Sequence, residues 1–173
     1  MSRGSLEKQI VEFVIKNKES HYRLAYSYVR NVEDALDIVQ ESIFKAISSM
    51  DSLKEPSYIK TWFYRIIINT SLDFLRKQKK LKIIDERVLE SFGSEAIDQY
   101  EDFDLKIALN NLPDAYRSVI ILRYFEDLKL KEIAEVLNEN VSTVKNRLYK
   151  AHEKLRLKLI DNEFNKEYQR RNN

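Results

Sequence analysis

The chain has 173 residues, 43% hydrophobic and 34% charged, with a net charge of +2, which fits a folded globular protein of one domain or two small ones and excludes disorder throughout. A Cys count of 0 excludes disulfides, thiolate zinc sites and thiol nucleophiles, and with only 2 Gly there is no Gly-rich phosphate cradle. His21 and His152 stand far apart without a ligand cluster, so both read as surface residues, and neither metal, cofactor nor catalytic constellation is expected.

Apolar residues recur at helical rather than alternating spacing, so an all-α fold is expected. The first stretch, MSRGSLEKQIVEFVIKNKES, carries charges among its apolar positions and resembles neither a signal peptide nor a membrane span. No other segment is apolar for long enough, so direct membrane insertion is not expected and the cytoplasm is the default. Helices are expected over Leu6–Val29, Val32–Ser48 and Ser57–Lys80, with breaks at Asn31 and around Asp51–Pro56, where the residue before proline is biased out of helix.

In the second of these helices Asn31 is a cap candidate, and Glu33 and Asp34 suit the first turn. Asp37 and Glu41 are like charges one turn apart, which weakens an isolated helix by roughly 0.2–0.5 kcal/mol. Gln40 sits beside them, and a basic partner would offset the repulsion; a merely solvated acidic face is the other reading. The third helix buries Ile59, Trp62, Phe63, Ile66 and Ile67, while Arg65, Asn69, Asp73, Arg76, Lys77 and Lys80 run along another face. Arg and Lys suit phosphates, and Asn69 with Asp73 supplies the directional donors and acceptors that read an exposed base, so this face fits single-stranded nucleic acid. Trp62 and Phe63 read as core rather than as stacking platforms.

Residues 81–104 are rich in Asp and Glu and read as an acidic linker. Short helices are expected over Leu105–Leu112 and, after Pro113, over Ala115–Phe125. Leu130–Leu159 then forms two amphipathic helices around a polar turn, the pattern of a helix-turn-helix DNA reader. Asn138 tolerates the left-handed corner, and Asn140 or Ser142 can accept hydrogen bonds from the free amides of a helix restarting near Val141. Val144, Leu148, Ala151 and Leu155 make the buried stripe, which leaves Lys145, Asn146, Tyr149 and Lys150 together on the outside. Taken alone, this pattern is also that of a helical hairpin with a solvated basic face.

In combination these segments resemble a group IV, extracytoplasmic-function sigma factor of bacterial RNA polymerase, over almost the whole chain, with wording nearest the sigma-V type. YVRNVEDALDIVQESIFKA is similar to the polymerase-binding part of sigma region 2, KTWFYRIIINTSLDFLRK to its promoter-melting part, and LPDAYRSVIILRYFEDLKLKEIAEVL with STVKNRLYKA to region 4. The resemblance implies two small helical domains, 1–80 (region 2) and 105–173 (region 4), joined by the linker 81–104 that would run near the RNA path. It implies that Asp37, Gln40 and Glu41 dock on the clamp helices of the polymerase beta-prime subunit. Asn69 would line a pocket for a flipped base of the −10 element, with Arg65, Asp73, Arg76 and Lys77 along the same strand. Lys145, Asn146 and Lys150 would read the −35 element, with Thr143, Arg147 and Tyr149 on phosphates or sugars.

The implied function is promoter-specific initiation in a cell-envelope response, without catalysis by the chain itself. A membrane-anchored anti-sigma protein would hold the chain at the inner face of the membrane, and lysozyme is the candidate signal for the sigma-V type. Some positions depart from the usual wording. Lys129-Leu130 stands where Ser-Tyr is frequent, Asn138 and Ser142 replace other common residues, and Lys145 and Lys150 cannot make the bidentate guanine contact of Arg. The alternative function is a stand-alone helix-turn-helix regulator, which would bind duplex DNA without polymerase.

Overall fold

The computed structural model describes residues 3–85 and 108–172, with side chains over 4–81 and 108–157. Every element among the described residues is helical. The N-terminal group comprises α1 (Arg3–Lys16), α2 (Lys18–Val29), α3 (Val32–Ser48) and α4 (Ile59–Asp85), with 3₁₀ turns at Met50–Ser52 and Pro56–Tyr58 leading into α4. The C-terminal group comprises α5 (Asp114–Ile120), a π-helical turn (Ile121–Phe125), α6 (Leu130–Leu137) and α7 (Val141–Asn172).

The single helix expected over Leu6–Val29 is two helices. The Asn17 side chain donates to the Phe13 carbonyl at 2.8 Å and its amide to the same oxygen at 3.1 Å, which closes α1. A short amide that bonds back to the chain competes with helix propagation, and neither Gly nor Pro is needed to stop it. α2 ends at Arg30, whose left-handed backbone (φ 56°, ψ 24°) carries its amide to the Tyr26 carbonyl. α3 starts where expected, because Asn31 Oδ1 accepts from the Asp34 amide at 3.0 Å. Residues 81–85 of the expected linker continue α4, and the remainder lies outside the described residues. Of the helix expected over Leu105–Leu112, residues 105–107 lie outside them as well, and 108–110 are helical.

The core is built on α4, which packs against α2 and α3 and also against α6. Leu24, Ala35, Ile38, Phe63 and Ile67 are buried, and each large side chain contributes about 1.5–3 kcal/mol through burial. Of the expected α4 stripe, Ile59, Phe63 and Ile67 are buried and Trp62 and Ile66 partly so. Tyr64 and Ile68 widen the stripe, and the same apolar cluster continues into Leu122, Leu128, Ile133 and Val136 of the C-terminal group. The two groups therefore share a seam rather than keeping wholly separate cores. A smaller cluster of Leu112, Ile120 and Ala151 ties α5 to α7.

His21, expected at the surface, is buried at 0% exposure among Phe13, Phe63 and Tyr64, with ring centroids 4.7–5.9 Å away. Neither ring nitrogen has a hydrogen-bond partner. Burial pulls its pKa down to about 4, opposed in part by the Glu126 carboxylate.

Candidate nucleic-acid interface

The turn between α6 and α7 follows from two asparagines. Asn138 takes the left-handed conformation (φ 53°, ψ 47°), which ends α6 and lets the Glu139 amide donate to the Ala134 carbonyl at 2.9 Å. Asn140 is the cap of α7, since its Oδ1 accepts from the Thr143 amide at 2.7 Å and from the Ser142 hydroxyl at 2.6 Å. At the other end of α6, Lys129 offers no side-chain acceptor. Its amide instead donates to Glu132 Oε2 at 2.6 Å, half of a capping box, so the helix starts cleanly without the usual Ser.

Val144 and Ala151 are fully buried under α7, with Leu148 and Leu155 beside them. Lys145, Asn146, Tyr149 and Lys150 are exposed on the opposite face, Tyr149 at 71%, in the arrangement expected from their spacing. The two other candidates stand differently. Thr143 is half-buried, and Arg147 is half-buried with its Nη2 donating to Glu139 Oε1 at 2.7 Å. Arg147 thus faces the cleft between the helix groups instead of joining the outward four.

On α4, Arg65, Asn69, Asp73, Arg76 and Lys77 are all exposed and fall along one stripe at three-to-four spacing. Arg76 and Asp73 pair at 2.9 Å. Asn69 lines the cleft, of about 350 Å³, whose far wall includes Ser118, Glu139 and Arg147. Trp62 is partly buried against the core and donates its indole N–H to Ser52 Oγ at 3.1 Å.

On α3, Asp37, Gln40 and Glu41 are exposed on one face. Glu41 already has a cation at hand, Lys45 Nζ at 2.8 Å, so the repulsion with Asp37 is partly offset within the helix. The sequence reading missed the apolar side chains beside them. Leu36 is 48% exposed, Phe44 72% and Ile47 36%. Their signal was available, because they fall off the buried stripe of Ala35, Ile38, Ser42 and Ala46.

A helix-turn-helix with a basic outer face, beside a bundle that displays a second polar stripe, defines a DNA-binding transcription protein. Residues 13–81 match Sigma-70 region 2, and residues 104–155 match Sigma-70, region 4. RNA polymerase sigma factor SigV of Bacillus subtilis (strain 168) is 51% identical over 150 residues, covering 87% of this chain and 90% of that protein. ECF RNA polymerase sigma factor SigW of the same organism is 36% identical, covering 83% of this chain and 85% of its own. The sigma factor RpoE from Bartonella quintana, solved in complex with the anti-sigma factor NepR, superposes with a TM-score of 0.75 at 25% identity over 88% of this chain and 97% of that one. The chain belongs to the ECF family of RNA polymerase sigma factors.

No helix among the described residues is long and apolar enough to cross a membrane. Among those residues no cluster of His, Asp and Glu could hold a metal ion.

Proposed function

We propose that this sigma factor grips a promoter in two states. The exposed face of α7 (Lys145, Asn146, Tyr149, Lys150) reads the −35 element as duplex, assisted at its edge by Thr143 and Arg147. The α4 stripe of Arg65, Asn69, Asp73, Arg76 and Lys77 captures the −10 element as a single strand. The observation that carries this reading is the contrast between the two surfaces: a basic, polar recognition helix after a tight turn suits the major groove, whereas a mixed stripe with an amide beside a cleft suits an unstacked base.

Asp37, Gln40 and Glu41 fasten the chain to the clamp helices of the beta-prime subunit, with Leu36, Phe44 and Ile47 supplying the apolar centre of that contact. The chain works in the cytoplasm, performs no chemistry of its own, and divides functionally into 1–80 and 105–173 around the linker 81–104. A membrane-anchored anti-sigma protein holds it at the inner face of the membrane until an envelope signal arrives; the solved RpoE–NepR pair supports control by an anti-sigma protein and does not bear on the anchor.

Pull-down by core polymerase tests the docking surface. Asp37→Lys combined with Glu41→Lys, and separately Phe44→Asp, are expected to lower affinity for core enzyme at least tenfold with helix content and melting temperature unchanged. Retained binding of core enzyme by both variants would contradict this docking surface, whereas promoter activity that persists after polymerase binding is lost would instead favour a regulator that acts without polymerase.

A further inference from the structure

In the turn that follows α5, the Glu126 amide donates to the Ile121 carbonyl at 3.1 Å and the Leu128 amide to the Leu122 carbonyl at 2.9 Å, so the chain is wider here than an α-helix. Single π-helical turns of this kind recur at functional sites. This one buries Leu122 in the core and leaves Tyr124 57% exposed beside α7. The Tyr124 hydroxyl lies 2.8 Å from His152 Nε2 in a hydrogen bond, and the two rings meet edge to face with centroids 5.5 Å apart. His152 is itself exposed, and it continues the line of Lys145 and Tyr149 along α7 at steps of four and three residues.

A hydrogen bond between two exposed side chains adds little to stability, because water can serve each group instead. Toward an anion the pair has more to offer. If the hydroxyl donates to Nε2, the ring hydrogen sits on Nδ1 and can be donated elsewhere; if Nε2 donates, the hydroxyl hydrogen is the free one. Either way one donor is left over. Position supplies its acceptor, since a recognition helix touches base edges with its N-terminal residues, and His152 lies beyond Lys145 by about 10 Å along the axis at 1.5 Å per residue. The major groove is about 8.5 Å deep. With Lys145 on the bases, Tyr124 and His152 stand by the rim, where the acceptors are phosphate oxygens.

We infer that Tyr124 and His152 act together as a phosphate-binding pair at the rim of the −35 major groove: each fixes the other, and the spare donor binds one backbone oxygen. Such a contact carries no sequence information, but it sets the register in which Lys145 and Asn146 meet the bases. The inference rests on the assignment of α7 to duplex DNA, and the variants below keep the two separable.

The test uses holoenzyme assembled from core polymerase and the full chain, binding duplex promoters from a library, with Tyr124→Phe, His152→Ala and the double variant. Both side chains are exposed, and circular dichroism checks that helix content is kept. Each single variant should bind roughly tenfold more weakly, the worth of a hydrogen bond to a charged group, and by a similar factor whichever bases occupy the −35 element. The double variant should lose little more than either single one, because the pair acts as a unit. Methylphosphonate replacement of single phosphates across the −35 element locates the contact. At one position neutralisation should weaken binding by the unmodified chain and have no further effect in either single variant.

Unchanged affinity in both single variants, losses that add fully, losses that depend on the −35 bases, or a scan in which no phosphate is masked by either variant overturns the inference. Lys145→Ala with Asn146→Ala reports on the parent reading. If that variant loses −35 discrimination while the Tyr124 and His152 variants bind normally, the phosphate contact is overturned and the assignment of α7 stands. If it keeps full −35 discrimination, the assignment of α7 is overturned and the phosphate contact falls with it.

Discussion

At the scale of single residues, His21 makes the sharpest claim about pH. Its folded pKa is held at about 4 by burial, against 6.5 in a solvated chain, so only the unfolded state takes up a proton between those values. The folded chain is therefore at full stability with respect to this group above pH 6.5, and it loses stability as the pH falls from 6.5 toward 4. The total is at most ~3 kcal/mol at 1.36 kcal/mol per unit of pKa shift. His21→Phe, set among Phe13, Phe63 and Tyr64, should flatten this part of the curve in urea unfolding measured at pH 7, 5.5 and 4.5. An identical pH dependence in the two chains would contradict the burial argument. Nothing in the sequence around His21 distinguished a core histidine from a surface one, because its cage comes from α1 and α4, and spacing along α2 carries no record of them. Tyr28 is buried elsewhere, at the seam with α5, and its hydroxyl is pushed up to about 12 by burial and kept protonated to serve as a donor toward Ser118.

At the scale of elements, legibility follows sequence distance. The recognition helix was readable because everything that defines it is local: Asn138 for the left-handed corner, Asn140 for the cap, and Val144 to Leu155 for the buried stripe. Asn140→Ala removes the acceptor of the Thr143 amide and should lower the stability of the chain by about 1 kcal/mol, read as a lower melting temperature. Asn138→Val places a β-branched residue at φ 53°, where its side chain crowds the backbone, and should cost about 1–2 kcal/mol, whereas Asn138→Gly should cost little. A valine variant as stable as the glycine variant would contradict the observed corner. The break at Asn17 was not readable in the same way, since an asparagine within an amphipathic run carries no fixed meaning until its side chain chooses a partner. On α7, the four outward residues were legible from periodicity, but the turn of Arg147 toward Glu139 depends on the neighbouring loop and on α4 across the cleft.

At the scale of the whole molecule, two helix groups were legible but not their closure. Glu126 meets Tyr64 across 62 positions and Arg23 across 103, separations at which no local pattern reports contact. The apolar residues of α3 and the polar stripe of α4 both stay exposed while the seam between the groups is filled. The central claim is that one chain reads a promoter as duplex upstream and as single strand downstream while held on polymerase. Run-off transcription with core enzyme tests it most directly, on a duplex promoter library and on the same promoters pre-melted at the −10 element. The account predicts initiation that depends on this chain, a tenfold or greater loss on duplex templates for Asn69→Ala that is largely restored by pre-melting, and a loss for Lys145→Ala with Asn146→Ala that pre-melting does not restore. Equal initiation by core enzyme alone, or equal rescue of both variants by pre-melting, would contradict it.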